Sequence, residues 1–327
     1  MNENRSRGEL VGNRRFRLEE RLGEGGFGEV WRATDTLVSG DVALKFVRAD
    51  KAGEGAGAAL WKEANQSRKL THPGIARIYD VCEFADEAGF IVMEFVDGEP
   101  LSVKRAKQPH GNFAWEEIEA LVVQLCDALE YAHGKGVVHR DIKPANMMVT
   151  GAGVLKLTDF GLAAPHDSEG ARGGSPPYMS PQQLRGMRPT MPDDVYSVGA
   201  VIYELLCGKP PFYRGDIDHQ IRHQMPEPLA ERMADLEMKE QPPPAVAAIV
   251  MACLAKEPDR RPAGVAAIRE WLNLPQRTAE EMAEAEAASR PEPMNEGVLA
   301  GKKPAFIVVG SILGLLVLLA VGYFLFG

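Results

Sequence analysis

The sequence contains little cysteine and no excess of positive charge. Its 327 residues include only four cysteines, and none has a second cysteine or a histidine at zinc-ligand spacing. Neither a disulfide framework nor a zinc site is expected, and the cysteines are predicted to be reduced thiols in the core. With 37 basic and 46 acidic residues, the net charge of -9 leaves no broad basic surface, so nucleic acid is not expected as a partner. The cysteines are Cys82, Cys126, Cys207 and Cys253.

The N-terminus lacks the apolar segment of a secretory signal, whereas the C-terminus carries one long uncharged apolar run. As a helix, residues 305–326 would span roughly 33 Å, against about 30 Å for the hydrocarbon core of a bilayer. A buried core helix is the alternative, but it would need amphipathic neighbours to enclose it. We therefore predict one transmembrane helix. Lys302 and Lys303 precede it, which puts the rest of the chain in the cytoplasm and the C-terminus at the opposite face.

The predicted membrane segment contains two glycines at a spacing that can bring transmembrane helices together. Gly310 and Gly314 form a GxxxG pattern, which lets two helices approach closely. Glycine is also common in transmembrane helices that do not associate. A homodimer formed through the membrane is therefore one hypothesis, and a monomer remains the alternative.

Composition changes along the rest of the chain and predicts its organisation. Residues 16–96 show the alternation of strands around one helix, and residues 115–273 show long helical periods, which predicts two lobes at 16–96 and 97–273. The fold class is therefore α+β, with a small β-rich lobe and a larger α-rich lobe. Residues 274–304, rich in Ala, Glu and Pro, are predicted to be a juxtamembrane linker with a short helix at 279–288. Residues 1–15 are predicted to be a basic tail that contains Arg5, Arg7, Arg14 and Arg15.

A glycine-rich segment opens the β-rich lobe. Gly23, Gly25 and Gly28 make a GxGxxG pattern, in which the backbone can approach phosphate oxygens closely. A dinucleotide fold would continue from these glycines into a helix, but VWRATD and DVALKFV have the residues of strands. The glycines are therefore predicted to cap a hairpin. Lys45 lies in the second of these apolar strands and needs a partner anion, either a nucleotide phosphate or Glu63.

The segment HRDIKPAN concentrates unlike polar groups in one short loop. Asp141, Lys143 and Asn146 supply a carboxylate, an ammonium and a carboxamide. Apolar residues flank the loop at 137–138 and 147–149, and we expect both flanks to be short strands that hold it rigidly.

Taken in order, GEGGFGEV, VALK, HRDIKPAN and DFG resemble the signature motifs of the protein kinase family. GSPPYMSPQ also resembles the end of an activation segment, and CLAKEPDRRP resembles a late helix with its arginine. The resemblance covers about residues 16–272 and is to the Hanks-type serine/threonine kinases, with a layout like that of bacterial members. It implies a bilobal kinase fold, here extended by one C-terminal transmembrane helix.

The resemblance also implies a mechanism for the short loop. Phosphoryl transfer needs a positioned hydroxyl, neutralised phosphate oxygens and a held Mg²⁺ ion. By resemblance, Asp141 is the base that accepts or orients the proton of the substrate hydroxyl, and Lys143 contacts the transferring phosphate. Asn146 and Asp159 would bind Mg²⁺, for which Mn²⁺ could substitute. His139 would be structural, packing beneath the phenylalanine of DFG.

ATP is the nucleotide that the resemblance implies. Lys45 would grip its α and β phosphates and be held in place by Glu63. The strand FIVME leads into a turn where the adenine ring could meet backbone groups. The residues implied to contact ATP are Gly23, Glu24, Gly25, Gly26, Phe27, Gly28, Val30, Ala43, Lys45, Glu94 and Val96.

Two details concern the substrate and the control of activity. Lys143, two residues after Asp141, resembles the pattern of serine/threonine kinases, so serine and threonine hydroxyls of proteins are the expected substrates. The activation loop has no threonine, and Ser168 is the hypothetical autophosphorylation site, whose phosphate would dock on Arg140. Ser175 is expected to contact the catalytic loop instead.

One departure from the family concerns its buried ion pair. Where most members end the activation segment with Ala-Pro-Glu, this chain has Gln182, and the implied partner is Arg261. The neutral bond predicts a somewhat looser C-lobe. Asp194 is taken as a further structural residue. A pseudokinase scaffold, which binds nucleotide and partners without efficient transfer, is the alternative that this departure leaves open, although the motif residues that carry the chemistry are intact.

Overall fold

The first lobe is built from strands whose apolar residues alternate. The computed structural model describes residues 5–25, 28–47, 64–82, 89–160, 175–238 and 241–289. Within them, an antiparallel six-stranded sheet has the order β1-β2-β3-β4-β6-β5. Its strands are β1 (Leu10–Val11), β2 (Phe16–Gly25), β3 (Gly28–Asp35), β4 (Gly40–Val47), β5 (Ile78–Cys82) and β6 (Phe90–Glu94).

Each face of this sheet carries its own apolar cluster, because successive side chains of a strand point to opposite faces. On the outer face, Phe16, Trp31, Phe46 and Phe90 belong to one cluster. On the inner face, the second cluster contains Ala43, Ile91 and Met93 with Val30 against it, and Ala64 reaches it from the short helical segment at 64–67.

The prediction that residues 1–15 form a tail outside the lobe is wrong for part of that segment. Leu10 pairs with Arg17 and Val11 with Phe16, so β1 is the edge strand of the sheet. Arg15 is not a free basic residue either, because its guanidinium donates to Asp35 at 2.6 Å. Composition could not show this, since pairing at a sheet edge depends on the neighbouring strand.

The second lobe is mainly helical. Its described helices are α1 (Leu101–Ala106), α2 (Trp115–Gly134), α3 (Pro181–Leu184), α4 (Met191–Cys207), α5 (Ile217–His223), α6 (Leu229–Asp235), α7 (Pro244–Cys253) and α8 (Val265–Trp271). A three-stranded antiparallel sheet, β7 (Gly98–Pro100), β8 (Met147–Thr150) and β9 (Leu155–Leu157), lies against them. The expected combination of a β-rich and an α-rich lobe is therefore present.

Helix α4 is the central element of this lobe. Every residue from Asp193 to Cys207 is buried, as expected for a helix that is apolar around most of its circumference. Its ends are well defined. At the start, Thr190 N donates to the side chain of Asp193 at 2.7 Å in a capping box, and at the end Gly208 takes a left-handed conformation with φ of 77°.

The flanks of the polar loop differ from their prediction on one side. Residues 147–149 belong to strand β8, but residues 137–138 are not in a strand. Instead, Val137 N donates to Ala132 O at 3.0 Å in the turn that ends α2. The apolar pair is thus part of a helix terminus, which short apolar runs do not distinguish from a strand.

The predicted linker contains the expected helix. Helix α9 occupies Ala279–Ser289, one residue longer than the prediction. Across the described part of the chain, no helix is both long and apolar enough to span a bilayer. The predicted transmembrane segment, 305–326, with Gly310 and Gly314, lies outside the described residues.

Candidate active site

The polar loop is held from below by one buried carboxylate of helix α4. Asp194 accepts hydrogen bonds from the backbone amides of His139 at 2.8 Å and Arg140 at 3.0 Å. His133, near the end of α2, donates its Nε2 hydrogen to the same carboxylate at 2.7 Å. Arg140 has a φ of 75°, a conformation that is unfavourable for a residue with a side chain. These three bonds fix the strained entry to the loop, which agrees with the structural role expected of Asp194.

Four polar residues meet at the centre of the loop. Asp141 Oδ2 accepts from Lys143 Nζ at 2.7 Å and from Asn146 Nδ2 at 3.1 Å. Lys143 Nζ also donates to Ser175 Oγ at 2.9 Å, and the amide of Ser175 donates to Asp141 Oδ1 at 3.2 Å. The predicted contact between Ser175 and the loop is therefore present. Together these bonds orient the carboxylate of Asp141 in a single direction.

His139 has a structural position. Its ring is fully buried, and its centroid lies 4.4 Å from that of Phe160. Nε2 donates to Thr158 O at 3.0 Å, and Nδ1 accepts from the amide of Asp141 at 3.3 Å, an arrangement that requires the neutral tautomer. Burial lowers the pKa of His139 despite the nearby carboxylates. A neutral imidazole with both nitrogens engaged supports the packing role predicted for it.

Asp159 and Lys45 form an ion pair between the two lobes. Lys45 Nζ lies 2.7 Å from Asp159 Oδ1, and Asp159 has a φ of 63°. Burial alone would raise the pKa of Asp159, but the charge and hydrogen bond of Lys45 outweigh it and leave the pKa lowered. Asp159 is not one of the partners predicted for Lys45, and the predicted side-chain partner, Glu63, lies outside the described residues. Within the described residues, Asp159 supplies the anion that the buried Lys45 requires.

The nucleotide-binding residues predicted in the β-rich lobe line its hairpin and inner face. Gly25 pairs with Gly28 and Gly23 with Val30, so the glycines do cap a hairpin. Val30 and Ala43 belong to the inner apolar cluster with Met93, a surface suited to an aromatic ring. Gly26 and Phe27 lie outside the described residues.

The strand end beside this surface is tied to the second lobe. The side chain of Glu94 pairs with Lys156 Nζ at 2.8 Å; the lysine is buried, and the side chain of the glutamate is 13% exposed. The backbone amide of Glu94 donates to Arg77 O at 2.8 Å. Val96, two residues further on, is buried. Glu94 therefore uses its carboxylate to join the lobes and its backbone amide to bind the chain at Arg77.

The donor set fits a magnesium ion that arrives with phosphate. Asn146 turns its amide nitrogen towards Asp141, so its oxygen faces the opposite way. Thr158 N donates to Asn146 O at 2.9 Å, which brings the neighbouring Asp159 close to Asn146. Among the described residues, no group of three His, Cys, Asp or Glu forms a ready metal cage. Mg²⁺ is commonly held by one or two protein oxygens together with substrate phosphates, and these residues match that pattern.

Gln182 bonds to the arginine predicted for it. Arg261 Nη2 donates to Gln182 Oε1 at 2.6 Å, and Gln182 Nε2 donates to Lys256 O at 3.0 Å. Arg261 also lies 3.7 Å from a carboxylate oxygen of Asp193. The side-chain amide of Gln182 thus accepts one hydrogen bond and donates another, whereas a carboxylate at this position could only accept.

Two residues of the site were missed by the sequence reasoning. Lys156 could have been found by the argument applied to Lys45, because it too is a lysine between apolar strand residues. His133 carries no such signal, since a histidine near the end of an amphipathic helix is usually unremarkable. The predicted regulatory residue Ser168 lies outside the described residues.

Comparison with known proteins places these motifs in context. The family model described as the protein kinase domain matches residues 16–274. The chain is 36% identical over 262 residues to the serine/threonine-protein kinase PknB of Mycolicibacterium smegmatis, covering 76% of this chain and 40% of that protein. It is 37% identical over 265 residues to the probable serine/threonine-protein kinase PknB of Corynebacterium glutamicum, with the same coverage. The chain therefore spans about two fifths of the length of these relatives.

A solved structure has the same two-lobed fold. The PknI kinase domain of Mycobacterium tuberculosis matches with a TM-score of 0.67 and 25% sequence identity. The match covers 83% of this chain and 99% of that domain. The similarity therefore extends over both lobes.

Proposed function

Because this chain belongs to the protein kinase family, we propose that it transfers the γ-phosphate of ATP to serine and threonine hydroxyls of proteins. The observation that carries the proposal is the polar cluster of the loop, in which Lys143 and Asn146 both donate hydrogen bonds to the carboxylate of Asp141. The names of the relatives support the serine/threonine class.

Asp141 is the proposed base. Its carboxylate is oriented by Lys143, Asn146 and the amide of Ser175, so it can meet an acceptor hydroxyl in one direction. As the hydroxyl oxygen bonds to the γ-phosphorus, the bond from that phosphorus to the bridging oxygen breaks and ADP leaves. Asp141 takes or orients the proton that the hydroxyl loses.

The two lysines are proposed to neutralise phosphate. Lys143 uses two of its three donors on Asp141 and Ser175, which leaves one for a phosphate oxygen. Lys45, now paired with Asp159, would hold the α and β phosphates. Asn146 and Asp159 would bind Mg²⁺, which offsets the negative charge of the phosphate oxygens when it is bound. Mn²⁺ has similar ligand preferences.

The alternative is a scaffold that binds nucleotide without efficient transfer. We do not favour it, because the residues needed for transfer are present and mutually bonded rather than replaced. Gln182, the main support for the scaffold, makes two hydrogen bonds, and one of them is accepted from Arg261. The guanidinium of Arg261 therefore keeps a partner at this position.

The test is phosphate incorporation from labelled ATP into a generic serine- and threonine-containing protein, using the full-length chain. Asp141→Asn is expected to lower incorporation by about 100-fold or more, as loss of a general base does. Asp235→Asn, an exposed change on α6, is the control and should not alter it. Incorporation unaffected by Asp141→Asn would contradict the proposal. An inactive wild-type protein that still binds Mg-ATP would favour the scaffold.

We further propose that residues 305–326 anchor the protein in a membrane with residues 1–304 in the cytoplasm. The length of the uncharged run and the preceding lysines support this proposal. The full chain should resist extraction from membranes at alkaline pH, whereas a chain ending at residue 304 should be released. If Gly310 and Gly314 mediate a homodimer, changing both to leucine should abolish self-association in bilayers.

Control by phosphorylation is proposed for Ser168, with Arg140 as the residue that binds the phosphate. The support is the sequence alone, because Ser168 is the only hydroxyl residue between 161 and 174. Phosphopeptide mapping of active protein should find phosphate at Ser168. An active enzyme that is unmodified there would contradict the proposal.

A further inference from the structure

The chain that precedes the sheet folds back over its outer face. The amide of Gly8 donates to Leu18 O at 2.7 Å, and the amide of Leu18 donates to Glu9 O at 2.9 Å, which extends the pairing of β1 with β2. A turn then reverses the chain, since Ser6 N donates to the carboxylate of Glu9 at 2.9 Å. This reversal carries Arg5 away from the edge of the sheet and across it.

Arg5 contacts β3 and β4, the two strands that lie beyond β2 in the sheet. Its guanidinium carbon lies 3.7 Å from the ring centroid of Phe46 in β4, and its Nη1 donates to the carboxylate of Glu29 in β3. The side chains of Arg5 and Glu29 are only 17% and 14% exposed. A pair this far buried is screened less than a surface salt bridge, and the aromatic ring below adds a cation–π contact.

Glu29 occupies a sensitive position in the glycine-rich hairpin. It directly follows Gly28, and it is paired across the hairpin with Glu24. Two carboxylates directly opposite each other repel, and here they lie at the end of the hairpin where phosphate would bind. Glu24 has an exposed partner, Arg21, at 3.0 Å. Arg5 supplies the charge that offsets Glu29.

We propose that Arg5 is a positioning residue for the glycine-rich hairpin, so that the segment before the kinase domain is part of the nucleotide site. Arg5 fixes the start of β3 from the outer face, while Val30, the next residue after Glu29, faces the inner cluster. The same contact offsets a negative charge close to the triphosphate. This inference rests on the proposed function only in naming ATP as the ligand.

The test compares Arg5→Ala with Arg7→Ala in the full-length protein. Arg7 is an exposed arginine of the same segment, so its removal changes the charge equally without touching Glu29 or Phe46. Arg5→Ala is expected to weaken binding of a fluorescent ATP analogue and raise KM for ATP by about 5- to 20-fold, with kcat within about twofold. Without nucleotide, amide hydrogen exchange at residues 20–32 should be at least about fivefold faster. Arg7→Ala should match the wild type.

Two further variants separate positioning from general destabilisation. Arg5→Lys retains the charge but not the flat group that stacks on Phe46, so an intermediate KM is expected. In a Glu29→Gln background, Arg5→Ala should weaken nucleotide affinity by a clearly smaller factor than in the wild type, because its charged partner is gone and only the contact with Phe46 is lost. The inference is overturned if Arg5→Ala and Arg7→Ala have equal affinity and exchange. A wild-type protein that binds ATP without transferring phosphate would refute the proposed function but not this inference, because binding and exchange report on it independently.

Discussion

Replacing Asp194 by asparagine should uncouple the catalytic loop from helix α4. The two side chains have the same shape, but an amide can accept at only one of its two ends. The carboxylate accepts from His133 and His139 at Oδ2 and from Arg140 at Oδ1. An asparagine that keeps the first two bonds must turn its own NH₂ group towards the amide of Arg140.

The magnitude follows from the bonds that are lost. A hydrogen bond to a charged group contributes about 1.5–3 kcal/mol, and the two bonds that remain become neutral and weaker. Arg140 also has a φ of 75°, which costs about 1–3 kcal/mol and persists because the surroundings hold it. We expect a loss of about 3 kcal/mol in the free energy of unfolding, which lowers Tm by about 6–12 °C. Part of that loss will appear as local opening of the loop.

Kinetics distinguish this positioning role from simple destabilisation. Asp194→Asn is expected to lower kcat for phosphate transfer by about 10- to 100-fold, since Asp141 follows directly after Arg140. KM for ATP should stay within about threefold, because the residues proposed to hold the nucleotide lie mainly in the other lobe. Val250→Ala, a cavity-forming change in the buried face of α7, is the control that should lower Tm without changing kcat.

One result would refute this reasoning. If Asp194→Asn retained kcat within about twofold of the wild type at temperatures well below its Tm, the bonds from Asp194 would not control the loop. If Val250→Ala lowered kcat as much as Asp194→Asn at a similar loss of Tm, destabilisation alone would explain the effect and the same conclusion would follow.

Two further predictions concern the region around Gln182. Gln182→Glu adds a charge that attracts Arg261 but removes the hydrogen bond donated to Lys256 O. Because these two effects oppose each other, Tm should change by less than about 4 °C. A larger rise of Tm in a thermal melt would show that the neutral pair weakens the lobe. Burial and then the charge of Arg261 lower the pKa of Lys256 to about 8, while its ammonium lies 4.7 Å from the ring centroid of Phe212. The unfolded chain then binds this proton more tightly, so the free energy of unfolding should rise between about pH 8 and 10.5. Lys256→Met should stabilise the protein at pH 7 by about 1 kcal/mol, allowing for solvent screening, and remove that rise; an unchanged pH profile in denaturant titrations would contradict it.

The features predictable from the sequence were those whose parts lie close together in the chain. The hairpin of Gly25 and Gly28 follows from two adjacent strands with glycines between them. Asp141, Lys143 and Asn146 lie close together because only a few residues of one rigid loop separate them. The segment 137–138 shows the limit of this reasoning, because an apolar pair fits a helix terminus as well as a strand.

The partners of the buried charges could not be predicted in the same way. Asp194 lies 55 residues from the amide of His139 that it binds. Other carboxylates in the sequence were equally good candidates for that role. Lys45 required an anion, but its choice of Asp159 depends on how the two lobes meet. Arg5 resembled one more residue of a basic tail.

The sequence alone thus determined the division into a β-rich and an α-rich lobe, the glycine-rich hairpin and the grouping of polar residues in the loop, because periodicity and short spacing act within a few residues. The tertiary structure alone decided that Asp194 holds the loop, that Lys156 holds Glu94, and that Arg5 reaches Glu29. Each of these contacts joins a charge to a partner on a distant element. Burial makes such a pairing necessary, but only the packing of the elements selects the partner.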